Sequence, residues 1–441
     1  MNNDTFAAWI RGSAPYMHAH RGRTFVIALP EAAVATDGLE RLSEDLVTLH
    51  TLGIRLVVVL DAELTLAPWM TGGGSAVPLS EITGLRDVIS GQRVRVEANL
   101  STAALRTGAP GGVTHVVSGN HVMARPRGVI NGTDHGAGGI VRRIDDGAIR
   151  QLLASSALVL VTPLAGSPRG ETFVLDGLDL ALQVAVALQA DKLICLAAHD
   201  YLHDATGERL SEVTPREVEA LIEDGVVPAE VERTAQLLGH GAERGIPRCH
   251  LVGWQSDGGL LGEVFTREGC GTQISEDSYQ RVRDADQGDA AAIATLIEPF
   301  VASGALRARD VEDIEDDIRA FSVVELDGLI IGCAALYSLD EHNAELACFA
   351  THAEFRTHRA SGTYNSPQAG QQRSVGEALL DEIIRRARQS GHERLIVLTT
   401  QAEHWFLEHG FDRAGPEALP AERRHAAEGT GRSSRVLVQP L

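Results

Sequence analysis

Ile54-Arg55-Leu56-Val57-Val58-Val59-Leu60 follows Gly53 and carries a single charge among its seven residues. So short and apolar a run reads as a strand buried on both faces, because an amphipathic helix needs a longer stretch with a polar side. Upstream, Thr24 to Leu29 (TFVIAL) reads as another strand, and Leu39 to Leu52 as a helix closed by Gly53. Strand, helix and apolar strand in that order predict a parallel sheet with helices on both faces. Ahead of them, Met1 to Ala19 reads as a short amphipathic helix with Phe6, Trp9 and Ile10 on one side.

Downstream the alternation continues. Val113 to Val117 and Ala157 to Val161 read as strands, Leu178 to Ala190 as a long helix, and Lys192 to Leu196 as a strand. Helices over Pro215 to Asp224 and Glu230 to Arg244 lead to a strand over Cys249 to Gly253. These elements make one large α/β domain over residues 1–277. At Tyr279 to Asp289 (YQRVRDADQGD) the pattern restarts, and residues 278–441 form a second domain. A charged strand enters the helix Ala290 to Phe300, and a second helix spans Val311 to Phe321. Strands Ser322 to Leu326 and Leu329 to Tyr337 flank Asp327-Gly328, a strong hairpin signal. Strand Ala344 to Ala350, helix Val375 to Gln389 and strand Arg394 to Thr399 complete that core.

The whole chain of 441 residues exceeds what one core organises, in keeping with two domains. A formal charge of −21 argues against a nucleic-acid partner, which would need clustered Lys and Arg, but not against an anionic small molecule in a local cationic pocket. Five cysteines, Cys195, Cys249, Cys270, Cys333 and Cys348, form no Cys-x-x-Cys pair, which argues against a zinc site or a disulfide framework. No leader-like segment opens the sequence, and its apolar runs are too short to span a bilayer. A reduced, cytoplasmic protein without a metal is expected.

Three stretches of the second domain carry chemistry. One is Val282-Arg283-Asp284-Ala285 with Gly288-Asp289 and a helix. Another pairs Leu346 to Phe349 with Arg373-Ser374-Val375-Gly376-Glu377-Ala378-Leu379-Leu380. The last is Trp405-Phe406-Leu407-Glu408-His409-Gly410-Phe411. Together they resemble the GCN5-related N-acetyltransferase (GNAT) fold, which implies acetyl-CoA as acetyl donor. A pyrophosphate suits a helix N-terminus, whose unpaired N–H groups and positive dipole end attract anions, and small residues let the backbone come close. The family's Gln/Arg-x-x-Gly-x-Gly/Ala loop is met by Arg373-x-x-Gly376-x-Ala378 in one register and by Gln371-x-x-Ser374-x-Gly376 in another. The resemblance assigns Gln371, Arg373, Ser374, Val375, Gly376 and Glu377 to the cofactor, together with main chain at Cys348, Phe349 and Ala350. The segment Thr357 to Gly370 reads as an insertion before the loop.

Amide formation needs a free amine, donors for the oxyanion, and a proton for the departing thiolate. Glu345 heads the strand expected to carry acetyl-CoA and is the natural base. The Tyr that many members use toward the thiolate is absent from Trp405-Phe406.

Gly332-Cys333-Ala334-Ala335-Leu336-Tyr337, Glu345 to Ala350, Leu398-Thr399-Thr400 with His404-Trp405-Phe406, and Gly431-Arg432-Ser433-Ser434-Arg435-Val436-Leu437 resemble the N-acetylglutamate synthase family. That resemblance runs through nearly the whole chain. It implies L-glutamate as acceptor, Glu345 as base and Thr399 as the hydroxyl near the thiolate. Arg432 and Ser434, with Leu306 and Arg309, would hold the substrate; Arg suits a carboxylate through its two-pronged fork.

The first domain, through His20 to Ile27, Leu52 to Val59, Val117 to Asn120 and Arg142 to Asp145, resembles the amino-acid kinase family, a three-layer αβα fold. Its strand-end turns read Leu29-Pro30-Glu31 and Leu60-Asp61-Ala62-Glu63, with carboxylates and no Gly where phosphates would sit. Phosphoryl transfer is therefore not expected, and a regulatory and assembly role is. Tyr16, Glu263, Gly269 and Gly271 fall where arginine-sensitive members hold L-arginine, and relatives assemble as hexamers. Two other readings stay open: an acetyltransferase for another amine with the first domain as scaffold, and a catalytically weak arginine sensor.

Overall fold

The computed structural model describes residues 3–71, 74–107, 114–266, 269–276, 281–326, 329–352, 374–428 and 434–441, with backbone alone at 3–9, 71, 74, 281, 422 and 426–428. They divide into two compact units, Met1–Glu276 and Asp277–Leu441.

The first unit is built on an eight-stranded sheet. Its strands are β1 (Thr24–Leu29), β2 (Arg55–Leu60), β3 (Val116–Ser118), β4 (Leu158–Val161), β5 (Lys192–Ala197), β6 (Glu212–Val213), β7 (Arg248–Gly253) and β8 (Thr272–Ile274), in the spatial order β6-β8-β7-β5-β1-β2-β4-β3. All neighbours run parallel except β7 and β8. Alternation explains the unbroken apolar runs. Val26, Ala28, Val57 and Val59 enter one core, whereas Phe25, Ile27, Leu29, Leu56, Val58 and Leu60 enter the core on the other face. Each such side chain, fully buried, contributes roughly 1.5–3 kcal/mol of transfer free energy.

Helices α1 (Asn3–His20), α2 (Gly38–Thr51) and α3 (Ile82–Arg106) precede α4 (Gly177–Leu188), α5 (Ala229–Glu243) and α6 (Gly259–Phe265). Asp176 caps α4 through the Asp179 N–H at 3.0 Å, and Gln189 ends it in the left-handed region at φ 50°. The sequence reading did not include the strands β6 and β8, the 25-residue α3, or a four-stranded second sheet of Val122–Pro126, Gly139–Ile144, Leu164–Gly166 and Thr172–Val174. Ile10, expected on an apolar face of α1, is exposed, and Phe6 and Trp9 lie outside the described side chains.

The second unit holds a seven-stranded sheet: β9 (Arg281–Asp284), β10 (Phe321–Leu326), β11 (Leu329–Ser338), β12 (Asn343–Thr351), β13 (Arg394–Thr399), β14 (Asp412–Ala414) and β15 (Arg435–Pro440), ordered β9-β10-β11-β12-β13-β15-β14. The β12–β13 pair alone runs parallel. Helices α7 (Ala290–Ala302) and α8 (Val311–Asp316) pack on one face. The other face carries α9 (Val375–Gln389) and α10 (Glu403–Glu408), and α11 (Ala421–Glu428) precedes β15. Asp327-Gly328 lies outside the described residues, and Leu326 pairs with Leu329 on either side of it.

The helix expected over Val311 to Phe321 stops at Asp316, and a 3-10 turn follows over Ile318–Ala320. Phe321 instead begins β10, fully buried against α7 and α8. The entry motif has a structural explanation: Arg283 grips Asp289 with two hydrogen bonds of 2.6 and 2.9 Å and Glu325 with a third of 2.6 Å. That ties the first strand to the turn that starts α7. Among the described residues no helix is long and apolar enough to cross a membrane.

Candidate active site

The chemistry-bearing residues of the second unit gather where β12 and β13 part. The parallel ladder runs from Asn343 opposite Arg394 to Leu346 opposite Val397 and goes no further among the described residues. At the same place β12 carries an extra residue: Ala347 pairs with Ala335 and Ala350 with Cys333, so Cys348 and Phe349 stand against Ala334 alone. Cys348 sits in the left-handed region at φ 49°, a conformation rare for a side chain other than Gly or Asn.

The bulge changes which residues face which core. Before it, Ala344 and Leu346 pack toward α9; after it, Phe349 does so, while Cys348 and Ala350 pack toward α7. Glu345 therefore shares a face with Cys348. It is a buried carboxylate with side-chain exposure of 8%. Both its oxygens are engaged: Arg423 of α11 donates Nε–H to Oε2 at 2.5 Å and Nη2–H to Oε1 at 2.7 Å.

Tyr337 lies directly across the ladder from Glu345. Arg309 donates to its hydroxyl at 2.8 Å and to Asp317 at 3.1 Å, and its guanidinium carbon lies 5.2 Å from the Tyr337 ring centre. Burial, only partly offset by the Arg309 charge, pushes the Tyr337 phenol well above its ordinary value and keeps it a neutral donor. Burial likewise raises the Cys348 thiol. Leu306 packs at the edge of the same core.

Thr399 ends β13 on the arm that has separated from β12, and its Oγ1 accepts the Ala402 N–H at 2.9 Å. Arg435 pairs with Thr399 in the ladder, so Ser434 is next to that rung. Glu403 holds both flanking cations, Arg435 at 2.9 Å and Arg413 at 2.7 Å.

The N-terminus of α9 is closed by a capping box. Ser374 N–H donates to Glu377 Oε2 at 2.6 Å, and Glu377 N–H donates to Ser374 Oγ at 3.2 Å. The Ser374 N–H, helped by His409 at 3.4 Å, holds the Glu377 carboxyl below its ordinary value. The main-chain N–H groups of Val375 and Gly376 remain at the helix start, where they could meet an anion. Gly376 has no spare room: a Cβ there would meet Trp405 Cζ2 at 3.0 Å and Phe349 Cζ at 3.6 Å. A strand bulge, a parted ladder and this close-packed helix start fit a thioester and its phosphates. Gln371, Arg373 and Arg432 lie outside the described residues, as does Thr357 to Gly370.

In the first unit, Glu263 on α6 is buried. His250 Nδ1 lies 2.6 Å from its Oε1, and its Oε2 accepts the N–H groups of Cys270 and Gly271, each at 2.7 Å. Burial alone would raise this carboxyl; His250 and the two N–H groups overcome it and hold it at about 2. On its other side, His250 Nε2 lies 3.4 Å from Lys192 Nζ. Gly269 has φ +58°, and a Cβ there would run into the Glu263 carboxylate; at Gly271 it would meet the Leu251 carbonyl. Tyr16 on α1 is buried in the core that holds Val264 and Phe265, and so stands beside α6.

The strand-end turns are filled by their own carboxylates. Glu31 accepts the Thr65 N–H at 2.7 Å, the Gln92 amide at 2.6 Å, and also the Thr65 hydroxyl. Asp61 is fully buried, and burial together with Asp176 and Glu63 pushes its carboxyl up to about 7.

Sequence reasoning did not single out Asp317 or His250, and it had no signal for Arg423, whose partner lies 78 residues upstream. Among the described residues no cluster could hold a metal ion.

The Amino acid kinase family model matches residues 23–244 and the Acetyltransferase (GNAT) family model residues 292–411. The two folds in this order define an acyltransferase carried behind a kinase-like unit, as the sequence resemblance implied. An amino-acid acetyltransferase of Pseudomonas putida is 37% identical over 449 residues, 99% of each chain, and that of Shewanella oneidensis is 36% identical over 94% of this chain and 93% of its own. Two crystal structures of N-acetylglutamate synthase from Neisseria gonorrhoeae each cover 99% of both chains. The complex with coenzyme A and L-arginine has a TM-score of 0.80 at 32% identity; that with coenzyme A and N-acetyl-glutamate has 0.60 at 33%. This chain belongs to the amino-acid acetyltransferase family.

Proposed function

We propose that the protein transfers the acetyl group of acetyl-CoA to the amine of L-glutamate, giving N-acetyl-L-glutamate and CoA, at the start of arginine biosynthesis. The observation that carries this reading is Glu345, a buried carboxylate three residues before the Cys348 bulge, at the point where β12 and β13 part. The ligands of the two Neisseria structures support the same donor and acceptor.

An ammonium has no lone pair with which to attack, so the reaction starts with a proton passing to Glu345, directly or through water. Main-chain N–H groups at Cys348, Phe349 and Ala350, set by the bulge, face the developing oxyanion. Thr399 already accepts from Ala402 and keeps its own O–H to donate toward the leaving sulfur, by hydrogen bonding or through a water. Val375 and Gly376 offer main-chain N–H groups to the pyrophosphate, and the resemblance assigns Gln371, Arg373, Ser374 and Glu377 to the same cofactor. Arg432, Ser434, Arg309 and the Leu306 backbone hold the substrate carboxylates.

The unit of residues 1–277 is the regulatory and assembling part, responsive to L-arginine. Glu31 and Asp61, buried in the strand-end turns, support the loss of phosphoryl transfer. Tyr16, Glu263, Gly269 and Gly271 form the effector site: Glu263 has used three of its roughly four lone-pair positions and keeps one for a cation. A hexamer joined through this unit, working in the cytoplasm, completes the reading.

Thiol release from acetyl-CoA, measured with glutamate and then with aspartate, glutamine and ornithine, tests it. Release with glutamate alone is expected. Faster release with ornithine or glutamine would replace the assignment with another amine, and flat initial rates across millimolar arginine would remove the effector site.

A further inference from the structure

Glu345 is held by a fork from a distant helix. Arg423 comes 78 residues later in the chain, on α11, and presents two adjacent donors to the two oxygens of one carboxylate, at 2.5 and 2.7 Å. Paired hydrogen bonds of this kind fix the plane of the carboxylate as well as neutralising it, which a lysine ammonium does not do. Each carboxylate oxygen retains a second lone pair, so the pairing leaves room for a proton to arrive. Among the described residues, other groups facing Glu345 are few. Tyr337 stands opposite on β11, its hydroxyl turned to Arg309 and Asp317; Cys348 shares its face on β12; β13 contributes the apolar Ile396. Arg423 is therefore the charge that matters most to this carboxylate.

We infer that Arg423 is a positioning residue for acetyl transfer: its fork holds Glu345 in one orientation, ready to take the amine proton. This rests on the reading of Glu345 as the base. A base held this way enters each turnover without a rotamer search.

The test uses the full-length protein and four variants: Glu345→Gln, Arg423→Gln, Arg423→Lys and the double variant Glu345→Gln/Arg423→Gln. Arg423→Gln is expected to lower kcat about 10- to 100-fold while the KM for acetyl-CoA stays within about two-fold. Arg423→Lys should stay well below the wild-type kcat, since it keeps the charge and loses the fork. The double variant should be no slower than Glu345→Gln alone. An unchanged kcat in Arg423→Gln, or a further loss on top of Glu345→Gln, would overturn the inference and leave Arg423 as packing. Full activity in Glu345→Gln would sink the base itself, and the inference with it. Should Arg423→Gln fold poorly, the lysine variant reads the same loss of kcat with a cation still on the helix.

Discussion

Arg309 donates to the hydroxyl of Tyr337 at 2.8 Å, and that hydroxyl passes its own hydrogen to Asp317 at 3.0 Å. The relay aims a guanidinium from the loop before α8 across the strand that faces Glu345. Tyr337→Phe removes the middle of the relay and keeps the ring. A partly buried hydrogen bond of this kind is worth about 1 kcal/mol, so kcat/KM for glutamate should fall about five-fold. The loss should sit in the KM for glutamate, with acetyl-CoA affinity unchanged; equal losses for both substrates would detach Arg309 from the acceptor.

Gly376 tests the cofactor side. A Cβ at this position meets the Trp405 indole at 3.0 Å, and the ring, stacked on His409 at 4.0 Å, cannot swing away cheaply. Gly376→Ala should cost about 1–3 kcal/mol of stability through overpacking and raise the KM for acetyl-CoA several-fold. Calorimetric titration with CoA and a thermal melt check both; unchanged CoA affinity would place the pyrophosphate elsewhere.

Acid should loosen the first unit through Glu263. Its folded-state pKa, about 2, lies below the ordinary 4.5, so the stability it contributes is present above pH 4.5 and is lost as pH falls through 2. The shift corresponds to on the order of 3 kcal/mol. Glu263→Gln should lower stability at pH 7 and flatten that part of the acid melt. A variant with the wild-type acid profile would show that the buried pair with His250 contributes nothing.

Asp61 should act in the opposite sense. Its folded-state pKa, about 7, lies above the ordinary 3.8, so its favourable contribution is complete below pH 3.8 and disappears as pH rises through 7. Asp61→Asn should therefore be more stable than the wild type at pH 8, by on the order of 2–4 kcal/mol, with the gap closing toward pH 4. Denaturant melts at the two pH values decide it, and equal midpoints at pH 8 would contradict it.

Much of the scaffold could be read from residue patterns. The strands of the large sheet announce themselves because both faces are covered, so Val57 to Leu60 need no polar alternation. Helix α3 did not, since its buried Leu85, Ile89, Val96 and Leu100 are spread among charged residues and two glycines. The second sheet escaped because its strands span three to six residues. At the candidate site, motif resemblance singles out Glu345 and Thr399. Arg423 was not legible, because nothing in Ala421–Glu428 signals a partner 78 residues upstream. Nor could the left-handed turn of Cys348 be read, since cysteine carries no preference for it.

That single added residue gives β12 two phases. Up to Leu346 the even-numbered side chains point toward α9; from Phe349 onward the odd-numbered ones do. Deleting any one residue between Glu345 and Ala350 would put the strand back in a single phase and swap every side chain on one arm to the opposite face. Either the carboxylate would be driven into the apolar packing under α9, or Cys348 and Ala350 would leave the core against α7. The strand thus tolerates many exchanges of residue type more readily than a change in its length by one.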